Sequence, residues 1–133
     1  MKKYKVYILA VSVLIIISII WNTLTEPGIK DLKSDFKEVA FIRNEQNTGP
    51  VIRIYAVSIK TENWEEMEQY GNYMPHTKYG TTRIYFFLNN GEIPEELNFG
   101  EVNIPDRYKK NCIAIYEKDG MSQISIRKYP FNN

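Results

Sequence analysis

The chain is 133 residues long, with 17 basic and 16 acidic side chains and a formal net charge of +1. That balance leaves no basic surplus to neutralise a phosphate backbone, which argues against nucleic acid as a partner. One cysteine, Cys112, excludes an intramolecular disulfide, and one histidine, His76, leaves no His/Cys cluster to hold a metal.

Lys2, Lys3 and Lys5 precede an uncharged apolar run from Val6 to Trp21. Counted with Tyr4 and with Asn22–Leu24, the run reaches roughly 30 Å as a helix, the thickness of a bilayer's hydrocarbon core. Tyr4, Tyr7 and Trp21 sit near its two ends, where amphipathic rings favour the membrane interface. The three lysines predict a cytoplasmic N-terminus, with everything beyond the run outside the cytoplasm. No Ala-x-Ala cleavage site and no lipid-accepting cysteine follow, so residues 4–24 are expected to remain as an anchor. Cleavage to a secreted or periplasmic domain is the alternative. The lysines account for three of the 17 basic residues, so the outer part holds 14 against 16 acidic ones. No Asn-x-Ser/Thr sequon occurs among twelve asparagines, which favours a bacterial envelope over a eukaryotic secretory route.

Beyond a break at Glu26-Pro27-Gly28, Ile29, Leu32 and Phe36 recur at helical spacing with charges between them. This predicts a short amphipathic helix over 29–37. Glu38–Arg43 and Val51–Lys60 read as strands around a polar turn region at 44–50, together a hairpin. Asn63 with Glu66 three residues later is a helix start, and Trp64, Met67, Tyr70 and Met74 make an inward stripe until Pro75. Thr82–Asn89 is an aromatic strand. Residues 92–111 show little periodicity and predict a long loop, with helical turns near 94–97 and 105–109. Cys112–Glu117 and Met121–Lys128 are strands joined by Lys118-Asp119-Gly120, a hairpin signal. The expectation is an α+β fold: an N-terminal transmembrane helix, then a small antiparallel β-sheet domain. Its elements follow the order α-β-β-α-β-β-β, with about five strands and helices packed on one face. Residues 1–25 form the anchor, 26–37 a linker with a short helix, and 38–133 the extracytoplasmic domain.

Chemistry is sparse. A thiol nucleophile would need Cys112 paired with His76, without a third member. Cys112 opens the apolar strand Cys112–Tyr116, where a small buried thiol is the plainer reading. Glu65, Glu66 and Glu68 could serve a glycosidase, yet the first turn of a helix attracts acids through its dipole in any case. Catalysis, cofactors and metals are therefore not expected.

One pattern is less ordinary. Arg53-Ile54-Tyr55, Arg83-Ile84-Tyr85 and Arg127-Lys128-Tyr129 repeat an Arg-x-Tyr spacing on three expected strands. Strand period 2 puts each Arg and Tyr on one face. Ile52, Ile54, Ala56, Ile84, Phe86, Leu88, Ile124 and Ile126 would then form the helix-covered core. The plain reading of the first set is cross-strand packing beneath the 92–111 loop. The functional reading is a docking face of Arg53, Tyr55, Arg83, Tyr85, Phe87, Arg127 and Tyr129, since Tyr and Arg are favoured at interface centres.

These readings converge on a membrane-anchored, extracytoplasmic interaction protein with a protein partner or self-association. An immunity- or inhibitor-type protein at the membrane, an envelope small-ligand-binding domain and a hydrolase are the alternatives, the last the poorest fit.

Overall fold

The computed structural model describes residues 2–25, 29–44 and 49–131. The Glu26-Pro27-Gly28 break and residues 45–48 of the polar turn lie outside the described residues. The chain separates into two compact units, Met1–Lys30 and Asp31–Asn133.

Helix α1 spans Lys2–Thr25. Its stretch Lys2–Leu24, 23 residues, is long and apolar enough to cross a membrane or to serve as a signal anchor, at roughly 35 Å. All side chains from Lys2 to Leu24 are exposed. The Ser12 and Thr23 hydroxyls donate to the carbonyls of Ile8 and Ile19, at 2.8 and 2.9 Å. Their donors are thus returned to the helix's own backbone, as an apolar surrounding requires.

The second unit is built on five strands lying side by side in chain order. They are β1 (Lys37–Arg43), β2 (Ile52–Ile59), β3 (Thr81–Leu88), β4 (Cys112–Lys118) and β5 (Ile124–Lys128). The pairs β1–β2, β3–β4 and β4–β5 are antiparallel, but β2 and β3 are parallel. The α+β class fits, whereas the expected antiparallel sheet is corrected to a mixed one. The cause is helix α2 (Trp64–Tyr73), which lies between β2 and β3. A parallel pair needs a crossover of a dozen or more residues, and the α2 connection supplies it.

Asn63 starts α2 as expected. Its Oδ1 accepts from the Glu66 N–H at 3.1 Å, and its Nδ2 donates to Glu66 Oε1 at 3.0 Å. The same carboxylate accepts the Lys33 N–H at 2.6 Å and the Ser34 hydroxyl at 3.1 Å. In a helix, the Lys33 N–H would bond to the carbonyl four residues back. With Glu66 holding it, the expected helix over 29–37 is reduced to a 3-10 turn at Ile29–Asp31, and Asp35 adopts φ 54°. Leu32 and Phe36 still pack on the core, with Phe36 stacked on Tyr70 at 4.6 Å.

Both faces of the sheet are covered. On one side Met67 and Tyr70 of α2 join Tyr55, Val57, Ile59, Ile84, Phe86, Ala114 and Tyr116. Gly71 lets α2 approach this closely, because a Cβ there would stand 2.5 Å from the Tyr116 ring. On the other side Leu97 and Ile104 of the 89–111 connection join Ala40, Ile54, Ala56, Tyr85, Phe87, Cys112 and Ile115. Tyr108, from the one-turn helix α3 (Asp106–Lys109), packs on that second cluster. The expectation of helices on one face is therefore corrected: α2 and α3 lie on opposite faces. The helical turn expected at 94–97 does not form.

Candidate functional site

The register decides which candidate residues meet. Across the five strands, Phe41, Tyr55, Ile84, Tyr116 and Ile126 align, as do Ala40, Ala56, Tyr85, Ile115 and Arg127. Aligned neighbours share a face, so Tyr55 points to the α2 side and Tyr85 to the loop side. The expected single face of seven residues is split. Ile54 pairs with Arg83 across the parallel ladder, so the Arg-x-Tyr phase slips by one residue between β2 and β3.

On the α2 side, Arg53 Nη1 donates to Thr77 Oγ1 at 2.7 Å, and Tyr55 stacks on Phe41 at 4.6 Å. Tyr129, beyond the end of β5 with φ 47°, donates its hydroxyl to the Glu62 carboxylate and meets Trp64 edge-on at 5.8 Å. These three are structural contacts around the rim of α2. Phe87 lies on the loop side but is wholly buried. Arg83, Tyr85 and Arg127 come together on the loop side.

They line a cleft of about 280 Å³ with Glu101, Val102, Asn103, Ile104, Lys109, Ile115 and Phe131. Asn103, 2% exposed, holds it in shape. Its Oδ1 accepts from Arg83 Nη1 at 2.7 Å and from the Tyr85 hydroxyl at 2.5 Å. Its Nδ2 donates to the carbonyls of Asn98 at 2.8 Å and Gly100 at 3.2 Å. One buried amide thus uses both lone pairs and both protons, tying the loop to two strand side chains. Arg83 Nε also donates to Glu117 Oε2 at 2.7 Å, from the directly opposite position on β4. Burial pulls the Arg83 pKa down, and Glu117 together with Tyr85 more than offsets it, so the guanidinium is held charged. Burial raises the Tyr85 pKa against the pull of Arg83 and Arg127, so the phenol stays a neutral donor.

Lys109 sits over the Phe131 ring at 5.4 Å and pairs with Asp106 at 2.8 Å. Arg127 forms no ion pair or side-chain hydrogen bond with any described residue. Asn103, Glu101, Lys109 and Phe131 were not among the residues the sequence singled out. No periodicity marks them, because their partners lie on strands distant in the chain.

The groups considered for catalysis are placed elsewhere. Cys112 opens β4 and pairs with Phe87, while His76 touches Thr82, which pairs with Lys118 at the other end of β4. That separation is roughly 20 Å along the strand, so the two form no nucleophile–base pair. Burial pushes the Cys112 thiol up to about 12, which keeps it protonated. Glu66 is committed to the start of α2. Among the described residues no group of three or more His, Cys, Asp or Glu side chains could hold a metal.

His76 carries a pH consequence. The Thr82 hydroxyl donates to the Pro75 carbonyl at 3.1 Å, so the ring contact at 2.9 Å is His76 Nδ1–H donating to Thr82 Oγ1. Nε2 is buried without a hydrogen-bond partner among the described residues. Burial, followed by the Lys118 and Arg53 charges, lowers the His76 pKa from its ordinary 6.5, with the Asp119 carbonyl and carboxylate opposing. A depressed histidine pKa leaves stability intact above the unfolded value. Stability is lost as pH falls below it, because the unfolded chain takes up the proton first. Thermal unfolding of the full chain is therefore expected to move to lower temperature between about pH 7 and pH 5. His76→Gln should reduce that slope, and a variant retaining the wild-type slope would assign the effect to other groups.

Compared with protein-family models, with curated proteins and with solved structures, the chain matches none.

Proposed function

We propose that the chain is a single-pass, membrane-anchored binding protein. Its N-terminus lies in the cytoplasm and its α+β domain acts outside, at or near the membrane surface. The observation that carries this is the exposed apolar stretch Lys2–Leu24 ahead of a separately compact domain. Lys2, Lys3 and Lys5 crowd its N-terminal end, whereas the first lysine beyond it is Lys30, which favours the outward orientation. The domain's task is recognition through the loop-side cleft, where Arg83 and Tyr85 are held in place by Asn103 before any partner arrives. Such preorganisation lowers the ordering cost of binding. A protein partner or a second copy fits the arginine and aromatic content of the rim. The concave cleft favours a small ligand as a second reading.

The test is alkaline-carbonate extraction of expressing cells, with intact mass and protease accessibility on spheroplasts. The full-length mass in the membrane pellet, with the domain digested from outside, is the expected result. A soluble product beginning near Glu26 would overturn the anchor. Protection of the domain in intact spheroplasts would overturn the orientation.

A further inference from the structure

We infer that the cleft between the 92–111 loop and the sheet is a site for a small phosphate monoester bearing an apolar group. The inference rests on reading the domain as a binding module and names the ligand class. Its size comes first. At about 280 Å³, the cleft has room for roughly nine waters at ~30 Å³ each, which matches a ligand of that many heavy atoms or slightly more. It sits at the small end of ligand sites.

The charge comes next. Arg83, Lys109 and Arg127 line the cleft against one carboxylate, Glu101, a local surplus of two positive charges. A phosphate monoester presents three terminal oxygens to these three cations, whereas a carboxylate presents two. Glu117 offsets the Arg83 charge but occupies only its Nε as a donor. Asp106 has an 89% exposed side chain, and such an exposed pair exchanges readily for a ligand. Arg127 has no acidic partner among the described residues.

The donors differ in kind. Arg83 is fixed by Glu117 and Asn103, and a held guanidinium fork suits the oxygens of a phosphate. Arg127 is exposed and Lys109 half-buried, so both can close on the ligand. The apolar group is provided for as well. Phe131, exposed and stacked on the buried Tyr85 at 7° from parallel with centroids 6.5 Å apart, presents its ring, and the exposed Val102 also lines the cleft.

Phenyl phosphate is the probe, titrated calorimetrically into the full chain in a non-ionic detergent. Saturable one-site binding with Kd at or below about 1 mM is expected, with phenol inert and benzoate much weaker. Arg127→Gln and Lys109→Gln each remove a charged contact and should weaken binding about tenfold, with thermal unfolding unchanged. Nanodiscs of phosphatidylcholine with and without phosphatidic acid separate the two sources of this chemistry. Loss of phenyl phosphate binding only in the phosphatidic acid discs assigns a lipid headgroup, and undiminished binding assigns a soluble monoester. The inference is overturned if the folded chain shows no saturable binding, if phenol or benzoate binds as tightly, or if both variants bind like the wild type. Should the probe fail while Arg127→Gln still abolishes a cross-linked complex in cells, the binding-module reading survives and only the ligand class is lost.

Discussion

Phe86→Ala is expected to remove much of the outer domain's stability. Phe86 is fully buried on β3 and is the meeting point of three chain segments. Phe36 of the N-terminal segment meets it edge-on at 6.0 Å, and Tyr70 of α2 does so at 5.9 Å. Phe36 and Tyr70 in turn stack at 4.6 Å. Truncating a buried phenylalanine costs about 3–5 kcal/mol through lost transfer energy and the residual cavity. The two edge-to-face contacts add about 0.5–1.5 kcal/mol each where the site cannot collapse. Set against a total of about 5–15 kcal/mol for a small domain, this is about a quarter or more of the stability. For a domain near 100 residues, the melting temperature should fall by roughly 15 °C or more. Phe41→Ala is the control. Phe41 also stacks on a tyrosine, Tyr55, but is 43% exposed on the edge strand β1, so its loss should cost about 1 kcal/mol or less. Circular dichroism melts of the full chain in detergent measure both. Equal effects of the two substitutions would show that the three-ring cluster does not hold the N-terminal segment and α2 to the sheet.

The elements themselves were largely legible because each carries a local signal. α2 was bounded by a side-chain cap at Asn63 and a stop at Pro75, and the observed Trp64–Tyr73 follows those marks. The turn after β4 is held as its residues suggest, with Asp119 Oδ1 accepting the N–H groups of Met121 and Gln123 at 2.9 Å each. What stayed hidden was the phase between strands. From Ile54 to Ile59 every residue of β2 is buried, as are Ile84–Phe87 of β3 and Cys112–Tyr116 of β4. A strand covered on both faces loses the alternation that would reveal which residues look which way. The Arg-x-Tyr spacing alone therefore implies one phase throughout. The parallel ladder sets Ile54 beside Arg83 and sends Tyr55 and Tyr85 to opposite sides. The helix between β2 and β3 was itself the available signal, since a strand–helix–strand sequence is the ordinary way to make a parallel pair. The cleft was legible only in part. Arg83, Tyr85 and Arg127 stood out by composition, but their organiser, Asn103, lies in a loop without periodicity.

Asn103→Ala is expected to cost about 2–4 kcal/mol, an unusually large effect for a loop residue. The substitution strands four groups at once: Arg83 Nη1, the Tyr85 hydroxyl, and the carbonyls of Asn98 and Gly100. Each buried group left without a partner costs about 1–3 kcal/mol, and water entering the space of the lost amide recovers part of the total. Two companions locate the loss. Asn103→Asp keeps an acceptor for Arg83 and Tyr85, now charged, but has no donors for the two carbonyls and repels them, so its loss bears chiefly on the loop-tethering half. Tyr85→Phe deletes one donor. It should cost about 1 kcal/mol in the wild type and markedly less beside Asn103→Ala, since the bond is already gone. That non-additivity in urea unfolding is the signature of a shared amide, and strict additivity would show that Tyr85 and Asn103 act separately. The functional consequence follows from the same geometry. Without Asn103, Arg83 loses the amide that fixes its Nη1, and the 98–103 loop loses this tie to the sheet, so the cleft is no longer set before a ligand arrives. Phenyl phosphate affinity should therefore fall in Asn103→Ala even though the substituted side chain carries no charge. It should fall by more than in Tyr85→Phe, which leaves the Asn103 bonds to Arg83, Asn98 and Gly100 in place.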